Sequence, residues 1–177
     1  MKRLLVIVSC CSAFLLLATT QSAGCGDKVL ALGRAVKLRY VSAHLASILV
    51  YERSGSPGAA AMSDPSLQSA LKKSSQALKV VHDRSELSEA LGRGKYDLIV
   101  TDAADAASVE QQLETTPSHS VVVPVLYQGT KAEASSLAKR FHVVLKAPAK
   151  AGSYFTALDE AMELKARRDD VNVRAAK

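Results

Sequence analysis

Apolar positions change their period in a regular way along residues 47–168. Short runs of β-branched and other apolar residues alternate with stretches whose apolar residues recur three or four positions apart, as on one helix face. The predicted strands are SILVYE, ALKVVH, YDLIVT, VVVPVLY and HVVLK. Five strands alternating with five helices predict an α/β domain, a doubly wound parallel sheet buried on both faces.

Residues that begin and end helices separate the predicted strands. Asp64 precedes a proline, a pair that predicts a helix start with proline at the first helical position. Thr130 and Glu133 have the spacing of a capping box at the start of a later helix. The last helix is predicted over 152–168. Residues 169–177 lack periodicity and are predicted to be a frayed tail.

The N-terminal residues follow a different pattern. Leu4–Leu17 is an uninterrupted apolar run behind a short positively charged head. At about 1.5 Å per residue a helix of this length spans roughly 21 Å, which is less than the ~30 Å core of a bilayer. The run is typical of a secretory signal peptide, so we expect residues 1–24 to direct export to the periplasm or cell envelope. An uncleaved short membrane anchor is the alternative.

The stretch Ser22-Ala23-Gly24-Cys25 resembles the lipobox of bacterial lipoproteins, in which small residues precede a cysteine that receives lipid. The resemblance implies lipidation of Cys25, which would be the only thiol left after cleavage because the other two cysteines lie in the apolar run. Ordinary cleavage beside Ala23 or Gly24 is the alternative. Residues 25–46 are then a linker or a juxtamembrane segment.

Composition and charge narrow the class of protein. The 177 residues are enough for one domain with a hydrophobic core. A hydrophobic fraction of 48% and a charged fraction of 23% are ordinary for a globular protein. The formal net charge of +6 is spread among acidic residues rather than gathered in one stretch. We therefore expect no nucleic-acid partner.

Three polar residues lie at the carboxyl ends of predicted strands, namely Glu52, Asp102 and Lys146. Ligands of doubly wound sheets bind at these ends. The stretches ILVYER, YDLIVTD and VVLKAP resemble the first, third and fifth strands of response-regulator receiver domains. The resemblance implies a flavodoxin-like fold with strand order 2-1-3-4-5. It places Asp102 at the phosphoacceptor position, Glu52 at one of two Mg²⁺-holding acids, and Lys146 at the invariant lysine.

Phosphoryl transfer in that family needs an aspartate nucleophile, Mg²⁺ that neutralises the incoming charge, and the lysine. Tyr51 replaces one acid of the Mg²⁺ pair, and no Met-Pro turn follows Asp102. Tyr127 stands near the place of the expected Ser or Thr, and one residue separates Lys146 from Pro148. The site is therefore predicted to be degenerate, without catalytic residues, metal or cofactor, and the protein is not expected to be an enzyme.

Three functions are compatible with these features. The first is an exported or envelope-anchored pseudo-receiver, which binds an unidentified protein or forms a homodimer through its last two helices. Its membrane contact would be the signal segment or a lipid on Cys25. The second is a Mg²⁺-dependent phosphoacceptor, Asp102, held at the inner face of the membrane by an uncleaved anchor. The third is an exported small-ligand binder that uses the loop 54–58. Export favours the first, because it separates the domain from cytoplasmic phosphodonors.

A degenerate site makes one structural prediction. If Asp102 no longer accepts a phosphoryl group, we expect Lys146 to lie within ion-pair reach and to neutralise the charge of its carboxylate. Substitutions of the two residues would then be energetically coupled.

Overall fold

The computed structural model describes residues 43–116 and 118–175. The predicted signal peptide 1–24, the lipidation candidate Cys25 and most of the predicted linker 25–46 lie outside this range. Among the described residues, no helix combines the length and apolar character that crossing a membrane requires.

The described chain alternates between strands and helices, as the apolar pattern predicts. The elements are β1 (Ala46–Tyr51), α1 (Ala59–Met62), α2 (Pro65–Ser74), β2 (Ser75–Val81), α3 (Arg84–Arg93), β3 (Leu98–Asp102), α4 (Ala106–Glu114), β4 (Val121–Tyr127), α5 (Lys131–Phe141), β5 (Leu145–Ala147) and α6 (Ala151–Ala175). The strands form one sheet in the order β2-β1-β3-β4-β5, and every neighbouring pair is parallel. The predicted fold class and strand order are confirmed.

Local side-chain caps fix the helix starts that the sequence predicts. The Asp64 carboxylate accepts a hydrogen bond from the Ser66 N–H at 2.8 Å and begins α2. Thr130 and Glu133 form a capping box at α5. Each cap satisfies an N–H that has no partner within the helix. The backbone N–H and the hydroxyl of Thr130 both donate to Glu133 and lower the pKa of its carboxyl.

The sheet separates two apolar cores, and successive strand residues alternate between them. Ile48 and Val50 of β1 pack in a core with residues of α1, α2 and α6. Leu49 and Tyr51 pack in the other, with residues of α3, α4 and Phe141 of α5. This double burial explains why β1, β3 and β4 are apolar almost throughout.

The sheet is covered on both faces as predicted, but β2 is an exception. Its residues 76–80 are all exposed, and only Val81 belongs to a core. Leu78 and Val80 keep 41% and 45% of their surface exposed. β2 is one of the two edge strands and pairs with β1 alone, so apolar residues here do not indicate burial.

Two further predictions need correction. Six helices are present among the described residues rather than the predicted five, because the stretch between β1 and α2 contains the one-turn helix α1. The last helix does not end at Arg168, and the predicted frayed tail 169–177 is helical as far as Ala175. An ion pair one turn apart, between Lys165 and Asp169, lies across the predicted end and supports the continuation.

Candidate functional site

Asp102 is the last residue of β3 and lies at the carboxyl edge of the sheet, where the sequence places it. Its backbone pairs in register with Val125 of β4. Only 5% of the residue is exposed. A phosphoacceptor must be reached by an incoming phosphodonor, whereas this carboxylate is almost completely covered.

Backbone amides occupy both carboxylate oxygens of Asp102. Oδ2 accepts a 2.5 Å hydrogen bond from the Gly58 N–H, and Oδ1 accepts one from the Ala104 N–H at 3.0 Å. Hydrogen bonds to an ionised carboxylate are shorter and stronger than neutral ones. The carboxylate therefore joins the loop after β1 to the turn after β3.

Gly58 permits this close approach because it has no side chain. A Cβ at this position would lie 2.6 Å from both Cγ and Oδ2 of Asp102. Atoms at that separation overlap, so with any other residue at position 58 either its backbone or the Asp102 side chain would have to move. The loop 54–58, considered above as part of a ligand site, thus directs its last N–H at Asp102.

A second charged contact joins the same two loops. Arg53 Nε donates to Asp105 Oδ2 at 3.0 Å; the guanidinium is half-exposed and the carboxylate is buried. The hydrogen bond to Asp105, followed by the attraction of its charge, raises the pKa of Arg53. Sequence reasoning missed this pair. Its only signal was an arginine after β1 and an aspartate before α4, at the ends of neighbouring strands.

Lys146 does not neutralise Asp102. In the described structure Asp102 has no ion pair with any lysine, and Lys146 is exposed. The residues on either side of it in β5, Leu145 and Ala147, are buried in the core with α2 and α6. Successive strand residues point to opposite faces of the sheet. Ala147, the residue before Pro148, faces this core, so Lys146 points to the opposite face. The predicted ion pair is therefore wrong.

Tyr51 and Glu52 do not make an acidic pair with Asp102. Tyr51 is buried in the core with α3 and α4, so the residue that replaces the first acid fills space there. Glu52 is half-buried, and its backbone N–H donates to the Val81 carbonyl at 2.9 Å. In the described part of the chain, its carboxylate makes no hydrogen bond or ion pair.

The Mg²⁺ site implied by the receiver family does not fit these residues. Mg²⁺ prefers oxygen ligands in octahedral geometry, usually one or two carboxylates with waters. Each Asp102 oxygen already accepts a backbone N–H, Asp105 is paired with Arg53, and the buried Tyr51 replaces one acid of the family's pair. Within residues 43–116 and 118–175, no three His, Cys, Asp or Glu residues are placed to hold a metal ion together.

These contacts change the expected effect of mutating Asp102. Asp102→Asn should destabilise the domain by about 1–3 kcal/mol, because an amide NH₂ would face a backbone N–H donor. Lys146→Met should change stability by less than about 0.5 kcal/mol, and the double variant should be additive. Urea unfolding of the wild type, the two single variants and the double variant measures these changes in the free energy of unfolding. Coupling between the two substitutions would contradict the geometry.

The sequence matches no protein-family model and no curated protein sequence. Among solved structures, the fold is similar to NtrX from Brucella abortus, a response regulator solved in complex with ADP. The TM-score is 0.58 at 18% sequence identity, and the similarity covers 72% of this chain and 28% of NtrX. The chain therefore spans little more than a quarter of the length of NtrX. Likeness at this identity shows a receiver-like fold.

Proposed function

We propose that this chain is a pseudo-receiver, a non-catalytic module that acts through protein contacts at the cell envelope. The non-catalytic part of the proposal rests on the hydrogen bonds that backbone amides donate to both Asp102 oxygens. The signal-like residues 1–24 and the lipobox-like stretch ending at Cys25 support export and lipid anchoring.

Phosphorylation of Asp102 would require the loop after β1 to open. The attacking oxygen would have to leave a buried, charge-assisted hydrogen bond to Gly58, and Ala104 holds the other oxygen. The neighbouring Arg53–Asp105 pair would have to shift with the same loop. These contacts fix the position of the Asp102 carboxylate, which supports a structural role for this residue.

Acetyl phosphate or beryllofluoride with Mg²⁺ is expected to leave the protein unchanged. Amide signals of Asp102, Gly58 and Ala104 in NMR spectra should not move, and intact mass should show no phosphoryl adduct. Asp102→Asn is the matched control for any adduct. A modification that the wild type gains and this variant lacks would establish the phosphoacceptor function instead.

The contact surface that we propose is the groove between α5 and α6. It has a volume of about 470 Å³ and is lined by Ala138, His142, Val143, Glu160, Leu164 and Arg167. Apolar residues flanked by charged ones are typical of protein interfaces, where an apolar centre is surrounded by a polar rim. These are the two helices through which the sequence predicts partner binding.

Site-specific photo-crosslinking in cells tests this surface. A photoreactive amino acid at position 164, in the groove, should give a defined adduct with an envelope protein or a second copy. The same amino acid at position 173, which is exposed and outside the groove, is the control. Adduct mass distinguishes a homodimer from a different partner. Equal labelling from both positions would refute the assignment of the groove.

A further inference from the structure

A groove between α3 and α4 has a polar lining that the receiver-like site does not use. It has a volume of about 320 Å³ and lies on the face of the sheet opposite α2 and α6. Its lining includes Tyr51, Arg84, Leu87, Ser108, Gln111 and Gln112. It shares no residue with the groove between α5 and α6, so a function of this groove is separate from the proposed protein contact.

The helix period places the lining residues of each helix in one row. Arg84 and Leu87 are three positions apart on α3, and Ser108, Gln111 and Gln112 are separated by three and four positions on α4. Residues at these spacings are neighbours on a helix surface. Each helix therefore presents one row of side chains to the groove, and Leu87 is the apolar member of the two rows.

The Tyr51 side chain reaches this groove from the sheet. Its backbone ends β1, so its contact with the space between two helices is made by the outer part of the ring, which bears the hydroxyl. The residue is 2% exposed, and its hydroxyl has no hydrogen-bond partner in the described part of the chain. Buried polar atoms of folded proteins nearly always have a partner. The unpaired hydroxyl indicates that a group from outside the chain completes this site.

The charges around the groove favour an anionic partner for this hydroxyl. Arg84 lines the groove and makes no ion pair with the other described residues, and no acidic residue belongs to the lining. The acidic side chains nearest to Arg84 in sequence, Asp83 and Glu86, instead accept backbone N–H groups at 2.8 Å. The positive charge of Arg84 is therefore not balanced by the lining.

We propose that the groove between α3 and α4 binds a small monocarboxylate, whose oxygens accept from Arg84 and the Tyr51 hydroxyl and whose hydrocarbon part packs against Leu87. The planar guanidinium matches a carboxylate and donates to both of its oxygens. One positive charge balances one carboxylate, whereas a phosphate group carries more negative charge. The volume is within the roughly 300–1,000 Å³ of small-molecule sites.

NMR titration of the full chain with sodium butyrate, in micelles of an uncharged detergent, tests the proposal. Amide signals of Arg84, Ser108 and Gln112 should shift and reach saturation. Butyramide has nearly the same shape without the charge and should bind at least tenfold more weakly. Arg84→Gln should weaken butyrate binding about tenfold. Arg93→Gln, at the other end of α3 and outside the groove, is the matched control and should bind as the wild type does.

Tyr51→Phe separates ligand binding from a structural role of this residue. The variant removes only the hydroxyl, so butyrate binding should weaken about tenfold. The urea midpoint of the protein without ligand should stay unchanged or rise, because a buried hydroxyl without a partner does not stabilise the fold. A lower midpoint would show that the hydroxyl has a partner within the chain and would overturn the proposal.

Three other results would also overturn it. A wild-type spectrum that butyrate does not change would show that the groove binds no such ligand. Phosphate that binds more tightly than butyrate would contradict the assignment of a carboxylate. Equal butyrate binding by Tyr51→Phe and the wild type would place the ligand elsewhere.

Discussion

Gly58→Ala is expected to destabilise the domain by about 2–3 kcal/mol. The new methyl group would lie 2.6 Å from Asp102 Oδ2, so the loop or the Asp102 side chain must shift, and the hydrogen bond from residue 58 is lost. Overpacking of a filled site and an unpaired buried carboxylate oxygen each cost on the order of 1–3 kcal/mol. The urea midpoint should fall without a change in slope.

Gly92→Ala is the control for this substitution. Gly92 lies within α3, and nothing is within 4 Å of the position its Cβ would take. Alanine there should stabilise the domain by about 0.5–1 kcal/mol, because it favours the helix. A second check combines Gly58→Ala with Asp102→Ala, which removes the two atoms at 2.6 Å and leaves only the residue 102 Cβ at 2.9 Å; the pair should cost less than the sum of the single variants. Full additivity would mean that Gly58 and Asp102 do not constrain each other.

Tyr154→Phe is the second substitution with a large expected effect, about 1–3 kcal/mol. The Tyr154 side chain is 1% exposed, and its hydroxyl donates to Asp64 Oδ2 and accepts from the Ala149 N–H, both at 2.9 Å. Phenylalanine would leave these two groups without that partner. Tyr127→Phe is the control, since it loses only an exposed 3.2 Å contact with Gln128. Equal costs for the two variants would contradict a structural role for the Tyr154 hydroxyl.

The same residue predicts how stability depends on alkaline pH. Burial, followed by the hydrogen bond to Asp64, raises the pKa of Tyr154 to about 12 from the ordinary 10.0. The folded state therefore holds this proton more tightly than the unfolded state does. Its contribution to stability is complete below pH 10 and is lost as the pH rises through about 12. Free energies of unfolding from pH 8 to 12 should fall more steeply for the wild type than for Tyr154→Phe. Parallel curves of unfolding free energy against pH for the two proteins would contradict a raised pKa for Tyr154.

Features set by neighbouring residues were predictable from the sequence. The capping box of Thr130 and Glu133 needs only residues three apart, and it places the start of α5 correctly. The predicted limits of β4 agree with the structure for the same reason, because turn residues bound this apolar stretch. Asp102 ends β3 as predicted, because the strand and its end can be recognised from the local sequence.

Contacts between distant residues were not predictable. Gly58 and Asp102 are 44 positions apart, and Arg53 and Asp105 are 52 apart. Nothing in either local sequence indicates that such partners will meet. Lys146 shows a related limit: β5 has only three residues, so its direction depends on a register that pairing with β4 determines. A one-residue difference from the receiver pattern reverses the side of the strand on which the lysine lies.

The strand order has a consequence for how the chain is made. β1 lies between β2 and β3. Among the described strands it is the first to leave the ribosome, but its second neighbour ends only at Asp102. At roughly 5–20 residues per second, those ~50 residues take about 3–10 s to synthesise. During this delay an apolar strand has no complete binding site, and nascent chains that end before β3 should not fold.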